Sequence, residues 1–277
     1  MLERTRELAR SWLQKKEVDA IFGLRNKGGY LAPYLFNTED ELADLSISNQ
    51  YRICHTCRPA KKNILSLMQA RDPKLRIGVV CKGCDERALI ELAKRSQLDL
   101  ERIKILGVAC TAEEAAECEC ERPYPGNLLV GDKVAGHSGH PGIDELLKKD
   151  IQQRFEFWCQ QLGKCIKCYG CRNACPVCFC TDCKMEQELF VKVGRLPPEV
   201  PMFQFIRLIH IADKCTGCGE CEKACPSNIP LTLITKLLKH DMKELFDYEA
   251  GLSVDNESPI LLTLDAMPLR DGAGHGG

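Results

Sequence analysis

Cysteine supplies the chemistry of this chain. There are 19 in 277 residues, and eight of them fall into two copies of one spacing. The first copy is CIKCYGCRNACP, with Cys165, Cys168, Cys171 and Cys175 ahead of Pro176. The second is CTGCGECEKACP, with Cys215, Cys218, Cys221 and Cys225 ahead of Pro226. A close triplet of thiols followed by Cys-Pro is the bacterial ferredoxin run, which holds 4Fe-4S clusters. Three thiolates on one tight loop wrap one corner of a cubane. The fourth, at the start of the following helix, points away and ligates the other cluster. The spacing therefore predicts cluster A on Cys165, Cys168, Cys171 and Cys225, and cluster B on Cys215, Cys218, Cys221 and Cys175. Zinc needs only four ligands in two pairs, which leaves a triplet plus Cys-Pro, twice over, unexplained.

The remaining thiols are less decisive. Cys54 and Cys57 (CHTC) and Cys81 and Cys84 (CKGC) form two CxxC pairs, expected to hold one further 4Fe-4S cluster or one zinc ion. Cys178, Cys180 and Cys183 follow run one directly and form a candidate for another cluster, with a fourth thiol from the first domain or Cys159. Cys110 and Cys159 read as small packed apolar groups, and Cys118 and Cys120 as undecided. A weaker flavin or nucleotide candidate is RNKGGY, where Arg25 and Lys27 would supply charge and Gly28 and Gly29 would let a phosphate approach. A plain turn competes with that reading. The histidines show no triad or metal-pair spacing, so no catalytic residue is assigned.

These residues need elements to position them. Residues 1–140 read as an α/β domain. Helical runs at 61–71, 85–96 and 111–117 alternate with strand-like runs at 18–24, 75–81, 103–109 and 127–134, which points to a mainly parallel sheet. GHSGHPG (136–142) reads as a linker. Residues 141–265 read as an α-rich, two-cluster, ferredoxin-like domain. Ile143, Leu147, Ile151, Phe155, Trp158 and Leu162 predict one packing helix leading into Cys165. Further helices are expected at 200–213 and 229–248, and the 266–277 tail is expected to be flexible.

Bulk properties exclude several classes of function. With 38 basic and 39 acidic residues the net charge is -1, which gives no electrostatic case for nucleic acid or for an anionic membrane. No apolar run approaches the roughly 20 residues of a membrane span. The charged N-terminal stretch has no signal-peptide core, so a cytoplasmic location is expected, with thiolate ligands in preference to disulfides.

The string IGVVCKGCDERALIELAKR, followed by IKILGVAC, resembles the β subunits of deazaflavin-coenzyme-reducing hydrogenase and formate dehydrogenase, with Cys84, Ala88 and Leu89 matching the strand, cysteine and Ala-Leu helix of that family. CIKCYGCRNACPVCFCTDC resembles its formate dehydrogenase branch. The resemblance implies an electron-transfer subunit of an anaerobic oxidoreductase complex, of hydrogenase, formate dehydrogenase or heterodisulfide-reductase type, whose partners are other oxidoreductase subunits. It also implies an alternative: an FAD-containing reductase subunit exchanging electrons with a deazaflavin or nicotinamide coenzyme.

Overall fold

Thr5, Ala9 and Trp12 recur at helical spacing and are the buried residues of helix α1 (Leu2–Gln14). The chain is described by a computed structural model covering residues 1–48, 56–57, 62–137, 139, 141–180 and 182–260. After α1 come strands β1 (Ala20–Lys27), β2 (Tyr30–Phe36) and β3 (Leu45–Ser46), then the short strands β4 (Thr56–Cys57) and β5 (Lys62–Asn63). Next are α2 (Ile64–Arg71), β6 (Ile77–Cys81), α3 (Gly83–Lys94), β7 (Ile103–Val108), α4 (Ala112–Glu117) and β8 (Leu128–Val130).

The main sheet has the order β2-β1-β6-β7-β8, with β3 also on β1. The β1–β6, β6–β7 and β7–β8 pairs are parallel, as the alternation of strands and helices predicts. Every residue of β6 is buried, which suits an apolar strand at the centre of a sheet covered on both faces. The first edge departs from expectation. Residues 30–36 form an antiparallel partner to β1, with Lys27 opposite Tyr30. Gly28 and Gly29 are the two residues between them, at φ 60° and 84°. Both central positions of such a two-residue hairpin turn need positive φ, which glycine adopts without steric cost.

Contact clustering divides the chain into two compact units, the first built from residues 1–57, 62–138 and 251–254. Residues 139–250 belong to the second. The second unit contains α5 (Pro141–Leu147), α6 (Ile151–Gly163), α7 (Gly170–Asn173), α8 (Met202–Ile211), α9 (Glu220–Lys223) and α10 (Leu231–Phe246). Among its described residues there is no strand. The single helix expected over 143–162 is two helices. Asp150 ends the first segment and caps α6, accepting from the Gln153 N–H at 2.8 Å while the Gln153 side chain returns to the Asp150 N–H. Its expected packing stripe is also corrected: Ile151 is 75% exposed and Phe155 54%, while Leu146 and Leu162 are buried.

Candidate metal centre

The two cysteine runs fold alike. Each triplet loop leads into a four-residue helix, α7 or α9, at the same offset in its run. The loops need left-handed backbone at matching places. Gly217 and Gly219 supply it in run two at φ 69° and 75°, whereas Lys167 and Tyr169 adopt it in run one at φ 52° and 60°. For these two the cost is offset by anchoring. The Tyr169 hydroxyl donates to the Met185 carbonyl at 2.9 Å, and its ring meets Phe203 edge-on at 5.7 Å. The Lys167 ammonium pairs with Glu199 at 2.5 Å and donates to the Lys192 carbonyl at 2.9 Å.

Around run one, backbone N–H groups point at sulfur. Lys167 donates to the Cys165 Sγ and Gly170 to the Cys168 Sγ, each at 3.4 Å. The Gln204 amide of α8 also donates to the Cys165 Sγ at 3.4 Å. Such N–H···S contacts are among the features that set a cluster's potential. Cys165 and Cys171 are buried and Cys168 is exposed. Cys225 packs on the core that contains Cys165 and Cys171. A Cβ on Gly170 would come within 2.6 Å of the Ala224 carbonyl, so the residue preceding Cys225 lies against the run-one loop.

Around run two, one cavity is lined by Cys215, Cys218 and Cys221 together with Cys175 from run one, and by Arg207, Ile211 and Thr216. Burial pushes the Cys175 and Cys221 thiols up to about 12, with Arg207 opposing the rise. Burial also pushes Cys171 up. Bare thiolates are thus disfavoured here, and iron bonded to sulfur would offset that penalty. The Arg207 Nε and Nη1 and the Thr216 Oγ1 are buried and have no hydrogen-bond partner among the described residues. Soft sulfur donors around a cavity with a buried guanidinium on its wall fit an anionic iron–sulfur cluster. Among the described residues no three His, Cys, Asp or Glu side chains are placed to hold a single metal ion.

The other candidates fare differently. Cys54 lies outside the described residues, as does the side chain of Cys57. Cys81 is buried at the end of β6 and Cys84 lies in the first turn of α3. Cys110, expected to be an isolated packed thiol, has company. Burial pushes it up to about 12, the Lys82 charge opposes the rise, and Cys84 and Cys120 are near enough to add to it. Burial pushes the Cys178 thiol up, with the Cys180 and Cys183 charges adding to the rise. Gly28 and Gly29 close the hairpin between β1 and β2, and the next element in the chain is the antiparallel strand β2. Arg25 is engaged by Asp44 at 2.7 Å and lies over the Tyr34 ring at 4.4 Å. Sequence reasoning missed Gln204 and Arg207. The available signal was a polar amide and a cation three residues apart in the otherwise apolar helix MFQFIRLIHI.

Glu199 gives this centre an acid limit. The Lys167 hydrogen bond, then the Lys192 N–H, hold its carboxyl down to about 2, against an ordinary 4.5. A lowered carboxylate value contributes stability that is complete above the ordinary value and is lost as pH falls through the folded one. The stability difference between the wild type and Glu199→Gln should therefore be full at pH 7, shrink below about pH 4.5 and vanish near pH 2. Denaturant midpoints across that range measure it, and a difference that does not change with pH would contradict the assignment.

Residues 161–229 match the family model described as 4Fe-4S dicluster domain. The chain is 40% identical over 121 residues to the F420-dependent formate dehydrogenase subunit beta of Methanocaldococcus jannaschii, covering 43% of this chain and 31% of that protein. It is 36% identical over 154 residues to the F420-dependent formate dehydrogenase 1 subunit beta of Methanococcus maripaludis, covering 54% and 39%. The matched stretches thus span between about three tenths and two fifths of these relatives' own lengths. No helix among the described residues is long and apolar enough to cross a membrane. The resemblance read from the sequence therefore stands: this chain is similar to the formate dehydrogenase β-subunit family and carries a 4Fe-4S dicluster domain in its C-terminal region.

Proposed function

We propose that the chain is an iron–sulfur electron-transfer subunit of a formate dehydrogenase-type complex, passing single electrons through two 4Fe-4S clusters with crossed ligation. The observation that carries this reading is the cavity lined by Cys215, Cys218, Cys221 and Cys175, three thiols of one run and the Cys-Pro thiol of the other. A cubane bound at such a site supplies a one-electron carrier that needs no proton or substrate of its own. The protein's contribution is to hold the thiolates, direct N–H groups at sulfur, and place one ligand near the surface. Cys168 is the exposed member of run one and marks the side from which an electron would enter or leave cluster A.

Anaerobic analysis of the purified chain should give at least about eight iron and about eight sulfide atoms, four of each per cubane. Values near about twelve would add Cys178, Cys180 and Cys183, or the thiols around Cys110, as a further site. A firm value near four iron would contradict the two-cluster reading. Stoichiometric zinc would instead assign the CxxC pairs to a structural ion. Flavin released on denaturation would promote the reductase alternative.

A further inference from the structure

Helix α8 turns one polar face inward: Gln204 and Arg207, three residues apart, are both buried while Phe205 and Ile209 on the same helix are exposed. The two inward residues have different reach. Gln204 contacts the Cys165 sulfur of run one. Arg207 is 2% exposed and lines the cavity formed by Cys175, Cys215, Cys218 and Cys221. Its Nη2 also donates to the Cys171 carbonyl of run one at 3.3 Å. One guanidinium thus touches the loop assigned to cluster A and the wall of the cavity assigned to cluster B.

Among the described residues of this unit four basic side chains are buried, Lys167, Arg172, Arg207 and Lys214, the last lying over the Phe179 ring at 4.8 Å. Lys167 and Arg172 are equally buried, but each has a carboxylate, Glu199 at 2.5 Å and Glu186 at 2.7 Å. For Arg207 the Nε and Nη1 donors have no hydrogen-bond partner among the described residues. A buried charge without a counter-ion is expensive, and the packing of an arginine here needs an anion to explain it. The groups beside it on that cavity wall are the side chains of Cys175, Cys215, Cys218 and Cys221, which would be anionic when bonded to iron.

We propose that Arg207 is a shared electrostatic positioning residue, a single fixed cation that raises the reduction potential of both clusters together. The proposal rests on the two-cluster reading above. Reduction adds one electron to a cluster, with no bond broken and no proton moved, so the anion gains one negative charge. A fixed cation on the wall of the site, in a low-dielectric interior, stabilises that extra charge more than it would in water. Because Arg207 meets both sites, it should act on both. Gln204 is uncharged and contacts Cys165, so its effect should be confined to cluster A.

The test is a redox titration of the purified full chain, followed by electron paramagnetic resonance, with iron and sulfide measured on each sample. Arg207→Gln should retain its iron and show both midpoint potentials shifted downward. Arg207→Lys keeps the charge but withdraws it on a shorter stem and removes the forked donors. It should show the same two-cluster shift, smaller. If the glutamine variant loses its iron, the lysine variant decides. Gln204→Leu should lower the potential of cluster A alone. Loaded Arg207 variants with both midpoints unchanged, or with only one moved, would overturn the proposal. A wild-type chain without two reducible clusters would overturn the underlying reading instead, and the iron analysis tells the two failures apart.

Discussion

Cys175→Ser is expected to remove the cluster of the second cysteine run, although Cys175 lies in the first. The same substitution at Cys225 should remove the cluster of the first. The geometric basis is clear for Cys175, which shares a cavity with Cys215, Cys218 and Cys221 and is raised further by the nearby Cys215. For Cys225 it is the packing of the 224–225 segment on the loop of run one. Each variant should fall from about eight iron atoms to about four and keep the spectrum of the surviving cluster. Cys218→Ser and Cys168→Ser provide the reference spectra. Cys175→Ser should match Cys218→Ser, and Cys225→Ser should match Cys168→Ser. The opposite pairing would make the two runs independent sites.

The second large effect is one of stability, in the first unit. Glu91 of α3 has no exposed surface. Its carboxylate holds Lys94 at 3.0 Å, pairs with Arg95, and accepts the Gly251 N–H at 2.6 Å. Lys94 and Arg95 are themselves buried there, with side chains 3% and 6% exposed. Glu91→Ala takes the carboxylate away from two buried cations and the acceptor away from the Gly251 N–H. Removing one member of a buried ionic group costs about 3–5 kcal/mol. A domain's whole stability is about 5–15 kcal/mol, so this single change should bring the unit close to unfolding at ambient temperature. Glu91→Gln keeps an acceptor for Gly251 but not the charge, and should fall between the two. Denaturant midpoints of the three proteins measure this ordering. An alanine variant as stable as the wild type would mean that the cations escape to solvent at no cost.

The ferredoxin runs were legible in the sequence because ligation of a cubane is largely local. Three thiols at fixed spacing leave a loop few ways to close, and Cys-Pro marks where the following segment turns. The parallel sheet was legible for a related reason: IGVVC and IKILGV are apolar runs short enough to be buried strands, each followed by a helical period. Local patterns gave way where a choice depended on what lay across the fold. Gly28-Gly29 suits a hairpin as well as a phosphate loop, and β2, with mostly exposed residues, announces itself weakly as a strand; pairing with β1 settled the matter. The apolar period across 143–162 was continuous, but the Asp150–Gln153 capping box divides it, because satisfying free N–H groups at a new helix start outweighs continuing the stripe.

The thiols show the same division. CxxC spacing suggests Cys81 and Cys84 as a pair; the fold buries Cys81 at the end of β6 and sets Cys84 in the first turn of α3. Arg207 is the clearest case. In MFQFIRLIHI it stands three residues after Gln204 in a mostly apolar helix, and that spacing does not say what the pair faces. Only the closing of two cysteine runs, distant in sequence, around the inward face of α8 makes it a buried cation among sulfur ligands. Charge burial depends on everything that surrounds a group in space, and spacing along the chain does not record that.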